Sequence, residues 1–436
     1  AGLSVPDSYV AGTDAAAEAS DWAQTLAEAN VAVYVANTGF GIGDSSSVAY
    51  SERLMGLYAK LLDGSMTVGQ ALTYAKQAYY GSLGAVGVYD TKILQQTAFY
   101  GLPFWQVDLV APAPTRPSLP APMGTDPVTG LAAMPLTLSP TLAQVTTPTG
   151  RFWTANGETP QVTHFQPVQP KTTVSVADST LVARGVLTTA LSSHDVPGVM
   201  PVVDTPVVDS STSAPPVRSD DAAWPSTIAS LTTSQAAYGR AQDLVVMPGQ
   251  FTGSTHDGTG IQRLFDTVGV TVLYGPEGSA DSTPPTIDKA AATLTGSILD
   301  FAVSTSDLGT DAGSPAAPAK AVSVGYQDTD GSWHFVELTR ASDTEWRGTS
   351  ALTGPSPTVA YYFVQSVDAA GNVRLAGGKV AGYAAYADVT APTITATISP
   401  APNAAGWIQG TRATVTFTCT DTGSGIADEA CPAPID

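Results

Sequence analysis

Cysteine is almost absent from this sequence of 436 residues, which contains only Cys419 and Cys431. The first 418 residues therefore cannot hold a cysteine nucleophile or a cysteine-ligated zinc ion. Basic residues are also scarce, since 18 Lys and Arg stand against 38 Asp and Glu, for a net charge of −20. Nucleic-acid binding needs clustered Lys and Arg on one surface. The composition therefore predicts a protein that does not bind nucleic acid.

Long apolar runs are missing as well. No uninterrupted run of about 18 apolar residues occurs, so no membrane-spanning segment is predicted. Hydrophobic residues nevertheless make up 43% of the chain, which is enough to form substantial cores. The 41 Gly and 33 Pro favour many short elements joined by turns. At this length we expect about three domains.

The first 110 residues alternate between helical and β patterns. Helices are predicted within 14–30, after Asp44 and from Thr67, and strands at 31–38 and 102–110. Gln70 stands three residues after Thr67, which predicts a capping box at the start of the third helix. This alternation indicates an α/β unit whose parallel or mixed sheet is covered by helices.

The sequence changes character after this unit. Residues 111–131 form a Pro-rich linker that suits neither a helix nor a central strand. Residues 132–280 carry short β-type runs separated by Gly, Pro, Ser and Asp, and no helix is predicted among them. This pattern is typical of an all-β domain.

Two near-copies divide the rest of the chain. DSTPPTID at 281–288 and DVTAPTIT at 388–395 each precede a β run, as at the joints of tandem β modules. Residues 281–389 are therefore predicted to form an immunoglobulin-like β-sandwich. Residues 390–436 are predicted to begin a further module that is truncated, because half a sandwich cannot bury its own sheet face.

No cofactor and no metal site are predicted. DTDG at 328–331 is similar to the start of a calcium loop, but Glu337 is too close to complete one, and a hairpin turn explains the motif. Asp368 to Asn372 likewise has the chemistry of a turn. HDG at 256–258 has no second ligand nearby in the sequence, so a surface loop is predicted there.

A succession of segments in the first quarter of the chain resembles a known family. The segments, in order, are GLSVPDS, VAVYVANTGFGIGD, AYSERLMGLYAKLL, TVGQALTYAKQAYYG and FYGLPFWQV. They resemble the C-terminal part of the gingipain-type cysteine peptidase domain, which has a caspase-like α/β fold. In that family, immunoglobulin-like β domains follow the catalytic domain. The resemblance therefore implies a multidomain chain, with a partial α/β caspase-like domain followed by all-β sandwich domains.

Such peptidases use a His–Cys dyad, in which the thiolate attacks the peptide bond and the imidazole transfers the proton. Residues 1–110 contain neither residue type. No catalytic residue is therefore assigned, and the chain alone is expected to be inactive. We expect either that the chain begins just after the nucleophile, which we favour, or that the domain is a degenerate homologue.

Two functions follow from this reading. The first is a fragment of a secreted bacterial cysteine endopeptidase that acts on protein or peptide substrates. The alternative is a non-catalytic cell-surface or adhesion protein with a degenerate caspase-like unit, attached to the surface through its β modules. The acidic composition, rich in Ser, Thr and Gly, suits either one as a secreted or cell-surface protein.

The loop after the strand at 31–38 is the predicted substrate-binding site. The resemblance implies that the pocket for the side chain preceding the cut is lined by Asn37, Thr38, Gly39, Phe40 and Asp44. Asp44 would then pair with a basic side chain, and Phe40 would pack against its stem. The alternative is a glycine-rich turn in which Asp44 caps the next helix. Glu52 and Arg53 on that helix are predicted to form a solvated face, and contact with the substrate is the alternative.

The two cysteines lie close together near the C-terminus. A disulfide between Cys419 and Cys431 would close a short loop and add roughly 3 kcal/mol by the chain-entropy relation. Such a bond suits an exported protein. Two free thiols are the alternative.

Overall fold

A computed structural model describes residues 22–39, 41–44, 47–109, 115–203, 223–236, 238–253, 259–279, 281–307, 319–353, 359–377, 383–386, 393–403, 408, 412–420 and 431–435. The described structure is mostly β, arranged in several small sheets. We refer to the helical unit (22–109), the central unit (115–279), the sandwich module (281–386) and the terminal hairpin (393–435). None of the described helices combines the length and apolar character needed to cross a membrane.

The helical unit contains four helices and a small sheet. Its elements are α1 (Trp22–Glu28), β1 (Val33–Asn37), α2 (Tyr50–Lys60), α3 (Val68–Gly81), α4 (Val88–Gln96) and β2 (Thr97–Gly101). Strands β1 and β2 run antiparallel, with Val33 opposite Gly101. Within the described residues, the predicted parallel or mixed sheet is therefore replaced by an antiparallel pair. The caspase-like α/β fold of this region stays a prediction.

The predicted strand at 102–110 is wrong, because β2 lies just before it. The backbone carbonyls of Pro103 and Trp105 accept hydrogen bonds from the N–H groups of Gly69 (3.0 Å) and Val68 (2.8 Å). These donors belong to the first turn of α3, where helix N–H groups have no partner within the helix. The apolar segment therefore closes a helix end instead of joining a sheet.

The alternative in which Asp44 caps the second helix is wrong, whereas the capping box predicted for the third helix is confirmed. Helix α2 begins at Tyr50, and its N-cap residue, Ala49, makes no side-chain capping bond. Tyr50 has a left-handed φ of 52°, so the chain turns there before the helix proceeds. Helix α3 has the predicted capping box, with Thr67 Oγ1 accepting from Gln70 N and Gln70 Oε1 accepting from Thr67 N.

The central unit contains strands and no helix in its described residues, as predicted. Its strands are β3 (Gly124–Thr125), β4 (Ala132–Leu138), β5 (Leu142–Thr147), β6 (Gly150–Ala155), β7 (Thr172–Ser175), β8 (Leu181–Val199), β9 (Ala229–Ala236), β10 (Gly239–Val246), β11 (Gly249–Thr252) and β12 (Gly260–Pro276). One sheet has the order β11-β12-β4-β3, with β8 also paired to β12, and another has the order β7-β10-β9. Strands β5 and β6 form a separate hairpin. Buried side chains of the two larger sheets form one core.

The helical unit does not enclose its own core. Leu54 of α2, Tyr79 of α3 and Ile93 of α4 belong to the same buried cluster as Phe152 and Val162 of the central unit. Burial of this apolar surface is the main favourable term in folding. The helices are therefore stabilised by contacts with the central unit as well as by contacts with each other.

The sandwich module has two antiparallel sheets that face each other. Its strands are β13 (Thr286–Thr295), β14 (Ile298–Ser306), β15 (Ala321–Gln327), β16 (Trp333–Glu337), β17 (Thr339–Arg340), β18 (Glu345–Ala351), β19 (Val359–Val367), β20 (Val373–Ala376) and β21 (Tyr383–Tyr386). The sheet orders are β13-β14-β18-β17 and β16-β15-β19-β20, with β21 also on β19. The hairpins predicted around 328–331 and 368–372 are both confirmed. The immunoglobulin-like assignment stays a prediction.

The terminal hairpin consists of β22 (Thr393–Ser399) and β23 (Thr414–Thr420), which run antiparallel. Every residue of β22 is exposed. Cys419 at the end of β23 is disulfide-bonded to Cys431, with the Cα atoms 5.7 Å apart. In the described residues, this covalent link joins the hairpin to the segment that follows it.

Candidate functional site

The loop that follows β1 is tied at both ends by a buried amide. Asn37 is 3% exposed, its Nδ2 donates to Ser51 Oγ (3.1 Å), and its Oδ1 accepts from Thr97 Oγ1 (2.8 Å). Ser51 Oγ also accepts from the N–H of Ile42 (3.2 Å), farther along the loop. Asn37 therefore connects β1, α2 and β2. Its side chain holds the loop in place, although the resemblance assigned it to the pocket lining.

Two glycines of the loop lie close to neighbouring side chains. A Cβ on Gly39 would lie 3.3 Å from Gln96 Nε2, and one on Gly43 would lie 3.2 Å from Glu52 Oε1. Thr38 is exposed, and its N–H donates to the carbonyl of Gln96 (2.8 Å). The predicted position of Phe40 lies outside the described residues. A side chain at either glycine would therefore be crowded by its neighbour. The absence of one at Gly43 lets the Glu52 carboxylate approach the loop.

Asp44 closes a turn within the loop. Its Oδ1 accepts from both the backbone N–H (2.8 Å) and the hydroxyl (3.1 Å) of Ser47. Because α2 begins at Tyr50 without a side-chain cap, Asp44 is not the N-cap of that helix. Asp44 and Glu52 place two carboxylates around one glycine-rich loop. The sequence predicts Asp44 as the acid of this loop and gives substrate contact by Glu52 only as the alternative to a solvated face.

Side chains from the three larger helices meet in one cluster: Arg53 of α2, Tyr79 of α3 and Asp90 of α4. Asp90 is 1% exposed and accepts from Tyr79 Oη (2.6 Å) and from the N–H of Gly87 (2.7 Å). Burial raises the pKa of Asp90, while these two hydrogen bonds act in the opposite direction. Arg53 donates to Ser82 Oγ (2.6 Å), and its guanidinium lies 5.7 Å from the Tyr79 ring centroid. Arg53 is thus half-buried and bonded to Ser82, so its predicted position on a solvated face is wrong.

Lys171 completes this cluster from the central unit. It is 2% exposed, and its Nζ donates to the carbonyl of Ser82 (2.9 Å). Burial, together with the like charge of Arg53, lowers the pKa of Lys171 to about 7, although Glu158 and Asp90 act against this shift. A lone lysine within QPVQPKTTVSV was the signal available in the sequence, because charged residues are scarce throughout this chain. The cluster joins two units and is closed to a ligand.

A second acidic group lies where the central unit meets the sandwich module. Asp281, Asp307 and Asp368 each offer a carboxylate oxygen, and these atoms lie within 4.8 Å of one another. Burial raises the pKa of Asp368, whose carboxylate accepts from the side chain and the backbone N–H of Asn372. Hard cations such as Ca²⁺ prefer oxygen ligands of this kind, so these three residues could hold one. Sequence reasoning assigned Asp368 to turn chemistry and did not anticipate the group.

Within the described part of the chain, no histidine pairs with a cysteine. Cys419 and Cys431 are bonded to each other in a disulfide, so neither has a free thiol. His194 Nδ1 lies 2.9 Å from Asp266 Oδ2 on the surface of the central unit, and His334 Nε2 lies 3.0 Å from Ser332 Oγ in the sandwich module. His256 lies outside the described residues. The described residues therefore contain no His–Cys dyad.

The sequence matches no family model and no curated protein. Among solved structures, a complex of the pro- and mature domains of Porphyromonas gingivalis RgpB is similar at 16% identity and a TM-score of 0.24, over 35% of this chain and 83% of that chain. Dimeric latent PorU from P. gingivalis is similar at 10% identity and a TM-score of 0.18, over 89% of this chain and 33% of that one. A tandem repeat of a large adhesion protein is similar at 12% identity and a TM-score of 0.17, over 46% and 50%. Likenesses of this size assign no family and no function.

Proposed function

We propose that the helical unit is the substrate-binding part of a gingipain-type cysteine endopeptidase, and that the loop at 37–44 recognises a basic side chain before the cut. The observation that carries the proposal is that two carboxylates, those of Asp44 and Glu52, lie at this loop. Asp44 is held by Ser47, and Glu52 approaches Gly43 from α2. Two acidic groups beside a closely packed backbone favour Lys or Arg over acidic or apolar side chains. The sequence resemblance to the gingipain family supports the same reading.

The chemical step needs groups that residues 1–110 do not contain. A thiolate would attack the carbonyl carbon of the peptide bond, and an imidazole would deliver a proton to the leaving amine. The contribution of this chain is to bind and orient the substrate. The chain alone is expected to show no turnover of fluorogenic peptides that is sensitive to a thiol alkylator.

Binding of labelled arginine peptides tests the proposal without requiring turnover. Fluorescence anisotropy would compare acetylated peptides that carry Arg, Leu or Glu at one position. We expect the Arg peptide to bind about tenfold or more tightly than the Leu peptide, and Asp44→Asn to remove most of that preference. Asp63→Asn is the matched control, because Asp63 Oδ1 also accepts a backbone N–H two residues on, from Ser65 (2.9 Å). Equal binding of all three peptides by the unaltered chain would contradict the proposal.

The second candidate function is a non-catalytic surface protein, and one observation favours it. The sandwich module is docked directly on the central unit, since Gln365 of β19 bonds both backbone groups of Thr188 in β8. A rigid array of β modules suits a cell-surface stalk, with domains proposed at 132–280 and 281–389. The disulfide at Cys419 suits secretion or surface display in either case. Failure of every peptide to bind would favour this candidate.

A further inference from the structure

A cavity of about 230 Å³ lies between the central unit and the sandwich module. On one side it is lined by β8 around Thr188, by Thr271 of β12, and by the turn at Asp126–Thr129. On the other side it is lined by β15, β16 and β19. Ligand sites occur preferentially at such domain interfaces, and drug-sized ligands use roughly 300–1,000 Å³. This cavity therefore suits a smaller group.

The wall contributed by the sandwich module is one row of side chains across three strands. Ser323 of β15 stands opposite Glu337 of β16 and opposite Gln365 of β19 in the two strand pairings. In the next row, Gly325 stands opposite Phe335 of β16. These residues share the sheet face that points away from the sandwich core, because side chains alternate along a strand. The face turned toward the central unit thus presents a carboxylate, a hydroxyl and an aromatic ring.

The two walls are held at a fixed separation. Gln365 is 1% exposed, and its amide accepts from the N–H of Thr188 (2.7 Å) and donates to the carbonyl of Thr188 (2.9 Å). Trp333 Nε1 donates to Ser193 Oγ (3.2 Å) farther along the same contact. Apolar side chains of both units, including Leu273 and Val367, form a small shared core beside the cavity. The cavity is therefore preformed, which lowers the cost of ordering a bound ligand.

The charge of the lining has one sign. Among the described residues that line the cavity, Asp126 and Glu337 are the charged ones, one from each unit, and none is Lys, Arg or His. Asp126 is oriented by Thr129, whose N–H (2.7 Å) and hydroxyl (2.6 Å) both donate to Asp126 Oδ2. A cation between two carboxylates is stabilised by both, and an ammonium group near the Phe335 ring gains a cation–π contribution.

We propose that this cavity binds a primary ammonium group on a short alkyl chain, with Asp126 and Glu337 pairing with the charge and Phe335 contacting the stem. Two sources have this chemistry, a free alkylamine and the lysine side chain of a protein. The site is separate from the loop at 37–44, which lies in the helical unit, and the proposal does not depend on peptidase function.

Calorimetric titration of the full chain at low ionic strength tests the proposal. The probes are n-butylammonium for a free amine and Nα-acetyl-lysine methylamide for a lysyl side chain. Their neutral counterparts are 1-butanol and Nα-acetyl-norleucine methylamide. We expect the ammonium probes to bind with dissociation constants on the order of 1 mM, and each neutral counterpart to bind at least about tenfold more weakly. Tighter binding of butylammonium assigns the free amine as the ligand, and tighter binding of the lysine amide assigns a protein lysine.

Glu337→Gln and Asp126→Asn should each weaken ammonium binding about tenfold. Asp300→Asn removes an exposed acid of the same module and is the matched control. Every probe is also titrated with the Asp44→Asn variant, in which the contribution that the loop at 37–44 is proposed to make to lysine binding is removed. Thermal unfolding of each variant verifies that it is folded. Equal binding of butanol and butylammonium would overturn the proposal. So would unchanged affinity in both folded acid variants, or the absence of saturable binding below about 50 mM.

Discussion

The sandwich module and the helical unit complete their cores in opposite ways. Every residue of the main core of the sandwich module, from Leu294 to Ala385, belongs to that module. The core around Leu54 in the helical unit also contains Phe152, Val162, Val168 and Val202 from the central unit. The sandwich module therefore forms its main core from its own side chains, whereas the core of the helical unit also requires side chains of the central unit.

This difference determines how each region should respond to damage. A core that lies within one module loses stability only there when a side chain is removed. A shared core spreads the loss across both contributors, because the same cavity removes contacts from each of them. The helical unit and the central unit are thus expected to unfold together, and the sandwich module by itself.

Truncation of core side chains should give the largest losses of stability. It also tests directly whether the two cores differ in the way described above. Phe301 and Leu54 are both 0% exposed. Phe301→Ala should cost about 3–5 kcal/mol and Leu54→Ala about 2–5 kcal/mol. By hydrogen exchange and mass spectrometry, Phe301→Ala should speed exchange within 281–386 alone. Leu54→Ala should speed exchange both in its own helix and around Phe152. An effect of Leu54→Ala confined to the helical unit would show that its core is independent after all.

Two buried glutamines sharpen the same comparison. Gln161 is 0% exposed, and its amide accepts from the N–H of Gly84 (3.0 Å) and donates to the carbonyl of Ala85 (3.3 Å). Gln365 makes the corresponding pair of bonds to the backbone of Thr188. Replacing either by Leu leaves buried backbone groups unpaired, which costs about 1–3 kcal/mol.

The two losses should be distributed differently. Gln161→Leu should lower the urea midpoint of the helical and central units together. Gln365→Leu should speed amide exchange near Thr188 and leave β14 of the sandwich module protected. Faster exchange in β14 would mean that the module depends on its docking contact, contrary to the view that its core is self-contained.

Local patterns predicted two hairpins of the sandwich module, because each of these joins neighbouring strands through a short turn. The turns at 328–331 and 368–372 follow from residues a few positions apart, and so does the capping box at Thr67. In the helical unit, by contrast, backbone carbonyls of the segment at 102–110 accept hydrogen bonds from the first turn of α3. That turn lies more than thirty residues earlier in the chain. No local pattern reveals such a partner, so the strand was placed in the wrong segment.

The candidate site divides in the same way. The loop and Asp44 could be identified from the sequence, since glycines and a lone acid after a strand are local features. The positions of the second carboxylate, Glu52, and of the half-buried Arg53 depend on the orientation of α2 relative to the loop and to α3. The orientation of α2 is set at its first residue, Tyr50, which has a left-handed φ. No local sequence pattern predicts this conformation at a tyrosine.

Lys171 provides a pH test of the junction between the helical and central units. Its pKa is about 7 in the folded chain and about 10.5, the ordinary value, when unfolded. Between these values the unfolded chain binds one more proton, so this group makes stability rise with pH, by at most about 1.4 kcal/mol per unit. Relative to Lys171→Met, the unaltered chain should gain stability from pH 7 to 9 and show a constant difference below about pH 6.

Urea unfolding at several pH values measures this difference. Lys289→Met, at an exposed lysine of the sandwich module, is the control and should leave the pH profile of the helical and central units unchanged. Parallel profiles for the unaltered chain and Lys171→Met from pH 6 to 9 would show that the junction does not depend on the buried ammonium.

The smallest expected effect concerns the one helix end of the helical unit that the sequence predicted in full. Thr67→Ala removes the acceptor for the Gln70 N–H and should cost about 1 kcal/mol. Thr73→Ala, six residues later in the same helix, removes only a bond from its hydroxyl to the carbonyl of Gly69, which helix interiors do not need. We therefore expect Thr73→Ala to change stability by less than about 0.5 kcal/mol, and Thr67→Ser to restore most of the loss in Thr67→Ala. Urea unfolding followed by circular dichroism measures all three. If Thr67→Ala and Thr73→Ala lowered stability equally, the hydrogen bonds to the carbonyls of Pro103 and Trp105 would be enough to hold this helix end. The capping box would then contribute less to stability than these contacts with a distant part of the chain.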